Sequence, residues 1–176
     1  MVVSDFKVTV SVNLKVPKRD TWQIISKPGN LEYCHPFCEK NSVIRWGDAN
    51  SKDIIKYYNG ICFTRVFVDW NENNGYNLLI KNVDVTYAKV SWSVKSLSKL
   101  NSELTICVSL FTDTILGRYP HFIRKAICRM FLLPMLNDYL KSVTNGFKYY
   151  LETGKKVRKN QFGYNFIFSK NSNNFF

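Results

Sequence analysis

The dominant hydrophobic period of this chain changes at Gly117, and that change limits the fold more than any motif does. Upstream of it apolar residues recur at every second position; downstream they recur at every third or fourth. The first strand is the clearest case. Phe6, Val8, Val10, Val12, Leu14 and Val16 alternate with Lys7, Thr9, Ser11, Asn13 and Lys15, which puts one face of a strand against a core and the other in water. Pro17 ends the run. From Lys18 to Ser26, Trp22 and Ile25 stand at helical spacing, and Pro28-Gly29 closes this short helix. Asn30 suits the cap of a second short helix through Leu31, Glu32 and Tyr33, which Pro36 stops.

Six further strand-like runs follow: Ser42 to Trp46, Asp53 to Tyr58, Ile61 to Asn71, Tyr76 to Val83, Tyr87 to Leu97 and Glu103 to Phe111. Turn sequences separate them. Asn59-Gly60, between two apolar runs, is the strongest short hairpin signal, and Gly47-Asp48 and Asn73-Asn74-Gly75 mark two more turns. After Gly117 a stripe from Phe122 through Ile127, Met130, Met135, Tyr139, Val143 and Phe147 to Leu151 predicts one long amphipathic helix, kinked at Pro134 and ended by Gly154. The expected class is therefore α+β: a seven-stranded antiparallel sheet, two short helices after strand 1, and a long C-terminal helix. Residues 1–154 are expected to form one domain. Residues 155–176 are a basic, Asn-rich tail, docked through some of Phe162, Tyr164, Phe166 and Phe168 and undocked at its Asn-rich end.

Composition narrows the classes of function. The chain is 45% apolar and 15% aromatic, enough for a core with large rings in it. No stretch reaches the roughly 20 apolar residues of a spanning helix, and no basic segment followed by an apolar one opens the sequence. A soluble cytoplasmic protein is the expectation. Cys34, Cys38, Cys62, Cys107 and Cys128 are odd in number and scattered through apolar runs, as reduced core thiols are.

Strand, two short helices, a six-strand meander and a long last helix form the element order of the START-like superfamily, the helix-grip fold. Locally, Thr21-Trp22-Gln23-Ile24-Ile25-Ser26-Lys27-Pro28-Gly29-Asn30-Leu31 resembles the signature with which bacterial members of the polyketide cyclase/dehydrase and lipid-transport family form their first two helices. His35-Pro36-Phe37-Cys38 and the segment Gly154 to Gly163 resemble an uncharacterised bacterial subset of that family. The resemblance implies a curved sheet wrapped around the last helix, with a cavity between them for a hydrophobic small molecule.

In that architecture the candidate wall residues are Trp92 from the sheet, Tyr58, Phe63, Phe67 and Trp70 around the Asn59-Gly60 hairpin, and Met130, Phe131, Met135 and Tyr139 from the helix. The run Ile61 to Asn71 leaves its inward face open. Cys62, Val66, Val68 and Trp70 oppose Ile61, Phe63, Arg65, Phe67 and Asp69. If the second set faces inward, Arg65 and Asp69 become buried polar groups and Arg65 a polar anchor for ligand. The plainer arrangement is an exposed ion pair along the strand.

Other chemistries find less support. Cys34-His35-Cys38 supplies half a zinc site, and the only further histidine is His121, so no metal is expected. A Cys-His nucleophile would need an accessible, electropositive thiol. Isolated turn glycines form no phosphate loop, so no cofactor is expected. Asp69, Asp84 and Asp113 are unpaired in sequence, which leaves an enzyme possible without marking one. The net charge of +12 is local: Arg118, Arg124, Lys125, Arg129, Lys141, Lys148, Lys155, Lys156, Arg158 and Lys159 face only Asp138 and Glu152 in that segment. A basic amphipathic helix suits an anionic membrane surface; nucleic acid is not favoured, because no basic sheet with stacking aromatics is evident. The functional expectation is binding or transfer of a lipid or polyketide-like molecule, with a polyketide cyclase or dehydratase using the same cavity as the alternative.

Overall fold

The computed structural model describes residues 6–169. The expectation for the Asn-rich end of the tail falls on residues 170–176, outside the described residues. Seven strands form a single curved antiparallel sheet: β1 (Phe6–Leu14), β2 (Cys38–Arg45), β3 (Lys52–Tyr57), β4 (Cys62–Asn71), β5 (Gly75–Asn82), β6 (Val85–Ser96) and β7 (Ser102–Leu110), in the order β1-β7-β6-β5-β4-β3-β2. Hairpins join β2 through β7 in sequence. The helices α1 (Lys18–Ile25) and α2 (Leu31–Cys34) carry the chain from β1 at one edge to β2 at the other.

β2 begins four residues before its predicted start at Ser42. Its register shifts at Cys38/Lys40 and at Val43/Arg45, and as an edge strand it leaves most of its side chains in water, so alternation, the signal a sequence reading depends on, is broken twice.

The last helix is preceded by α3 (Thr112–Leu116) and built from α4 (His121–Ile127), a π-helical turn (Cys128–Leu132) and α5 (Leu133–Thr153). Where a kink is predicted, Pro134 brings no break: it sits in the first turn of α5, where its missing N–H matters least to that segment, and the helix widens just before it. Gly154 ends α5 in the left-handed conformation, at φ 69°, as its position predicts. Leu140, Val143 and Phe147 of α5 are buried against the concave face.

Gly146 has a separate role. A Cβ there would lie 2.2 Å from the carbonyl oxygen of Cys34, so the missing side chain is what lets α2 lie on α5 and sets the position of the following residue, His35.

Candidate functional site

The concave face of the sheet is graded in side-chain size. Three cross-strand rows run over β4, β5, β6 and β7. The first is Trp70, Tyr76, Trp92 and Ile106; the second Phe67, Leu78, Val90 and Val108; the third Arg65, Ile80, Ala88 and Leu110. Around the first row the rings pack on one another. Trp70 stacks on Tyr76 with centroids 5.5 Å apart, Tyr76 on Trp92 at 5.7 Å, and Phe147 of α5 meets Trp92 edge-on at 5.0 Å. Around the third row the side chains do not reach the helix. The gap is a cavity of about 270 Å³, and its wall includes Ile80, Ala88, Val90, Val108 and Leu110 from the sheet and Leu132, Leu136 and Leu140 from the helix.

A β-bulge sets this gradient. Between Phe67 and Asp69 the register of β4 against β5 slips by one residue, so Phe63, Arg65 and Phe67 face inward before it and Trp70 after it, while Val68 and Asp69 turn to solvent. Neither of the two alternating faces read from the sequence is therefore correct along the whole strand. The expected exposed ion pair is not formed: Arg65 is 4% exposed and its partner is Asp53, 0% exposed, directly opposite on β3. Arg65 Nε donates to Asp53 Oδ1 at 2.7 Å, and its NH2 group donates to Oδ2. Burial alone would lower the guanidinium's pKa, but the charge and hydrogen bonds of Asp53 outweigh it and hold the pKa above its usual value. The one cation on the wall is thus neutralised in place.

The other polar groups form a chain. The backbone N–H of Phe37 donates to His35 Nδ1 at 3.1 Å, His35 Nε2 lies 2.9 Å from the Tyr139 hydroxyl, and that hydroxyl lies 3.0 Å from the Tyr57 hydroxyl. Desolvation first, and the nearby Arg65 charge second, lower the His35 pKa to about 3. Burial raises both phenols well above their ordinary range. All three rings are therefore uncharged at neutral pH. Desolvation also raises Cys38 to about 12, and Cys34 higher still, so neither carries the thiolate a nucleophile requires. Among the described residues no group of His, Cys, Asp and Glu gathers as a metal site, and no helix is long and apolar enough to cross a membrane.

Of the wall residues named from sequence, Phe63, Arg65, Trp92 and Tyr139 line the cavity. Tyr58, Phe67, Met130 and Met135 do not. Tyr58 lies in the turn just past the end of β3, off the cavity wall, with Lys159 over its ring. Phe67 fills the aromatic cluster, 5.0 Å from both Trp46 and Tyr76. Met130 is 69% exposed on the π-helical turn, and Met135 is half-buried outside the wall.

Sequence reasoning did not place Tyr57, His35 or the tail residues Ile167 and Phe168 on the wall, although it expected the tail to dock. The phase of β3 holds a usable signal, because Lys52 and Lys56 mark the outer face and leave Ile55 and Tyr57 inside. The tail offers no such pattern. Ile167 and Phe168 close one end of the cavity, with the Phe168 ring 4.4 Å from Tyr57 and 4.8 Å from Tyr139. Asn59 holds the Ile167 carbonyl, and Ser142 donates to the Phe162 carbonyl at 2.8 Å.

The backbone as a whole has close counterparts. An uncharacterised protein of Bacillus thuringiensis aligns with 83% of this chain and 98% of its own, at 12% identity and TM-score 0.64. The chain has the helix-grip fold. DynU16, a protein of the dynemicin biosynthetic locus, shares this helix-grip backbone over 89% of the chain at 17% identity and TM-score 0.64. BexL, a di-domain ARO/CYC from the BE-7585A biosynthetic pathway, does so over 84% at 12% identity and TM-score 0.59. The chain spans about half the length of those two, 52% and 46% respectively. No protein-family model matches the sequence, and no curated protein is similar to it by sequence.

Proposed function

We propose that this protein binds a hydrophobic small molecule, a lipid or polyketide-like compound, in the cavity between the sheet and α5. The observation that carries this reading is the cavity itself: about 270 Å³ of space walled almost wholly by aliphatic and aromatic side chains. Pockets that bury drug-sized ligands run from roughly 300 to 1,000 Å³, so the ligand is a compact one. Phe63, Trp92 and Tyr139 are its aromatic contacts.

Binding is favoured over catalysis by the direction of every pKa shift on the wall. A general acid or base works best with a pKa near the operating pH, and His35, Tyr57 and Tyr139 are all displaced away from neutrality. A cyclase or dehydratase in the same cavity is the second reading, supported by the likeness to BexL and by the presence of polar groups on an otherwise apolar wall.

Transfer to an anionic membrane fits the segment that precedes α5. Phe122, Met130 and Phe131 are 73%, 69% and 63% exposed among the exposed Arg118, Lys125 and Arg129, while Ile115 and Leu132 of the same segment line the cavity. Apolar side chains set among basic ones suit the headgroup region of such a bilayer. The five unpaired cysteines fit a reducing compartment such as the cytoplasm.

Native mass spectrometry of the purified protein, beside a solvent extract of the same sample, tests the binding reading. A co-purifying apolar molecule is expected, or, failing that, a melting temperature raised by some member of a panel of fatty acids, sterols and aromatic polyketides. If neither is seen, the cavity is not a ligand site.

A further inference from the structure

Counting hydrogens along the polar chain exposes a donor that the fold itself does not use. The Phe37 N–H occupies His35 Nδ1, so the neutral imidazole carries its proton on Nε2 and donates it to the Tyr139 oxygen. Tyr57 and Tyr139 then hold two O–H hydrogens between them and have one mutual bond to make. Whichever phenol donates in that bond, the other O–H is left over. Neither hydroxyl has a further bonded acceptor among the described residues, and both tyrosines lie on the cavity wall.

The cavity also lacks what an anion needs. Its cation, Arg65, holds Asp53 through two hydrogen bonds, and a carboxylate brought inside would lose its hydration against an aliphatic wall. We infer that the cavity selects uncharged ligands bearing one acceptor oxygen, a ketone or similar carbonyl, seated against the Tyr57–Tyr139 pair, and discriminates against both the bare hydrocarbon and the carboxylate of the same shape. This rests on the cavity being a ligand site, and the experiment separates the two claims.

Three naphthalenes of similar size, substituted at the same ring position, serve as probes: the methyl ketone acetylnaphthalene, the hydrocarbon ethylnaphthalene and the anion naphthoate, each titrated calorimetrically into the protein at neutral pH. The ketone is expected to bind about tenfold more tightly than the hydrocarbon, the effect of one well-placed hydrogen bond, and naphthoate most weakly. Tyr57→Phe and Tyr139→Phe should each keep part of the ketone preference, because either variant still has one O–H to offer. Removing both hydroxyls frees the His35 Nε2–H, so the variant that should lose the preference and still bind ethylnaphthalene, which shows that its cavity is intact, is the triple one, Tyr57→Phe and Tyr139→Phe with His35→Leu. Should the triple variant not fold, the carbonyl stretch of isotope-labelled acetylnaphthalene bound to the unaltered protein gives the answer: a shift to lower frequency than in an alkane is expected, and no shift refutes the inference.

Equal binding of ketone and hydrocarbon, a preference that survives in the folded triple variant, or naphthoate as the tightest ligand would each overturn it. If ethylnaphthalene binds and no preference appears, only the selectivity fails; if no probe binds, the cavity reading falls and this inference with it.

Discussion

The two ends of the concave face are built from the same strands and have opposite packing. At one end Trp70, Tyr76 and Trp92 stack across three strands, with Trp22 of α1 set edge-on to Trp70 at 5.6 Å. One and two rows away the same strands present Leu78, Val90, Ile80 and Ala88, and a cavity opens. The same sheet carries both ends, and they differ in side-chain volume and in the bulge of β4 that separates Phe67 from Trp70. One end supplies cohesion and the other supplies space. Trp92 belongs to both; elsewhere stability and binding should respond to substitution at different ends.

The largest effect is expected where the packed end is cut. Trp92→Ala removes a ring that touches Tyr76 and Phe147 and should cost about 3–5 kcal/mol, read as a fall in the urea midpoint. Asp53→Ala comes next, at about 3 kcal/mol or more, because it leaves Arg65 buried without its counter-charge. Replacing both partners, as Asp53→Leu with Arg65→Met, should recover most of that loss; if the double variant is as unstable as the single, the pair contributes more than charge balance.

A smaller effect depends on pH. His35 titrates near 6.5 in the unfolded chain and near 3 in the fold. Above pH 6.5 neither state holds the proton and the contribution is constant. Between about 6.5 and 3 the unfolded chain takes up a proton that the fold excludes, so stability falls as pH falls, by at most about 1.4 kcal/mol per pH unit. His35→Asn should flatten that slope in chemical-denaturation curves collected from pH 7 to pH 4. The smallest effect on stability, under about 1 kcal/mol, is expected for Ala88→Leu, since its new atoms enter existing space. It should nonetheless weaken binding of any cavity ligand at least tenfold, which makes it the sharpest separation of the two ends.

How far a sequence reading reaches is clear from the same contrast. Regular alternation in Phe6–Leu14, Val85–Ser96 and Ser102–Leu110 made these strands, and the inward position of Trp92, legible, because period two has one meaning on a half-buried strand. The phase of β4 was not legible. One extra residue after Phe67 exchanges the faces, and no local residue type announces it. His35 lies in the turn after α2, where no period exists to read, and its place on the wall depends on Gly146, more than a hundred residues away in sequence. Phe168 closes the cavity from a tail without regular structure, held by long-range side-chain hydrogen bonds. Periodic signals thus gave the scaffold and, of the wall residues singled out, Phe63, Arg65, Trp92 and Tyr139; the polar chain is formed by contacts between segments that no pattern links.

The strand order has a consequence for how the chain assembles. β2 through β7 can form by successive hairpins, each closing a short loop within microseconds. β1 has no such neighbour: Phe6 must find Leu110, closing a loop of roughly a hundred residues, and such distant pairings are slow to form. Synthesis from the N-terminus delivers β1 first and its only sheet partner much later. For that interval the most regular apolar strand of the chain has nothing to pair with, which makes it the segment most exposed to association with another copy or capture by a chaperone.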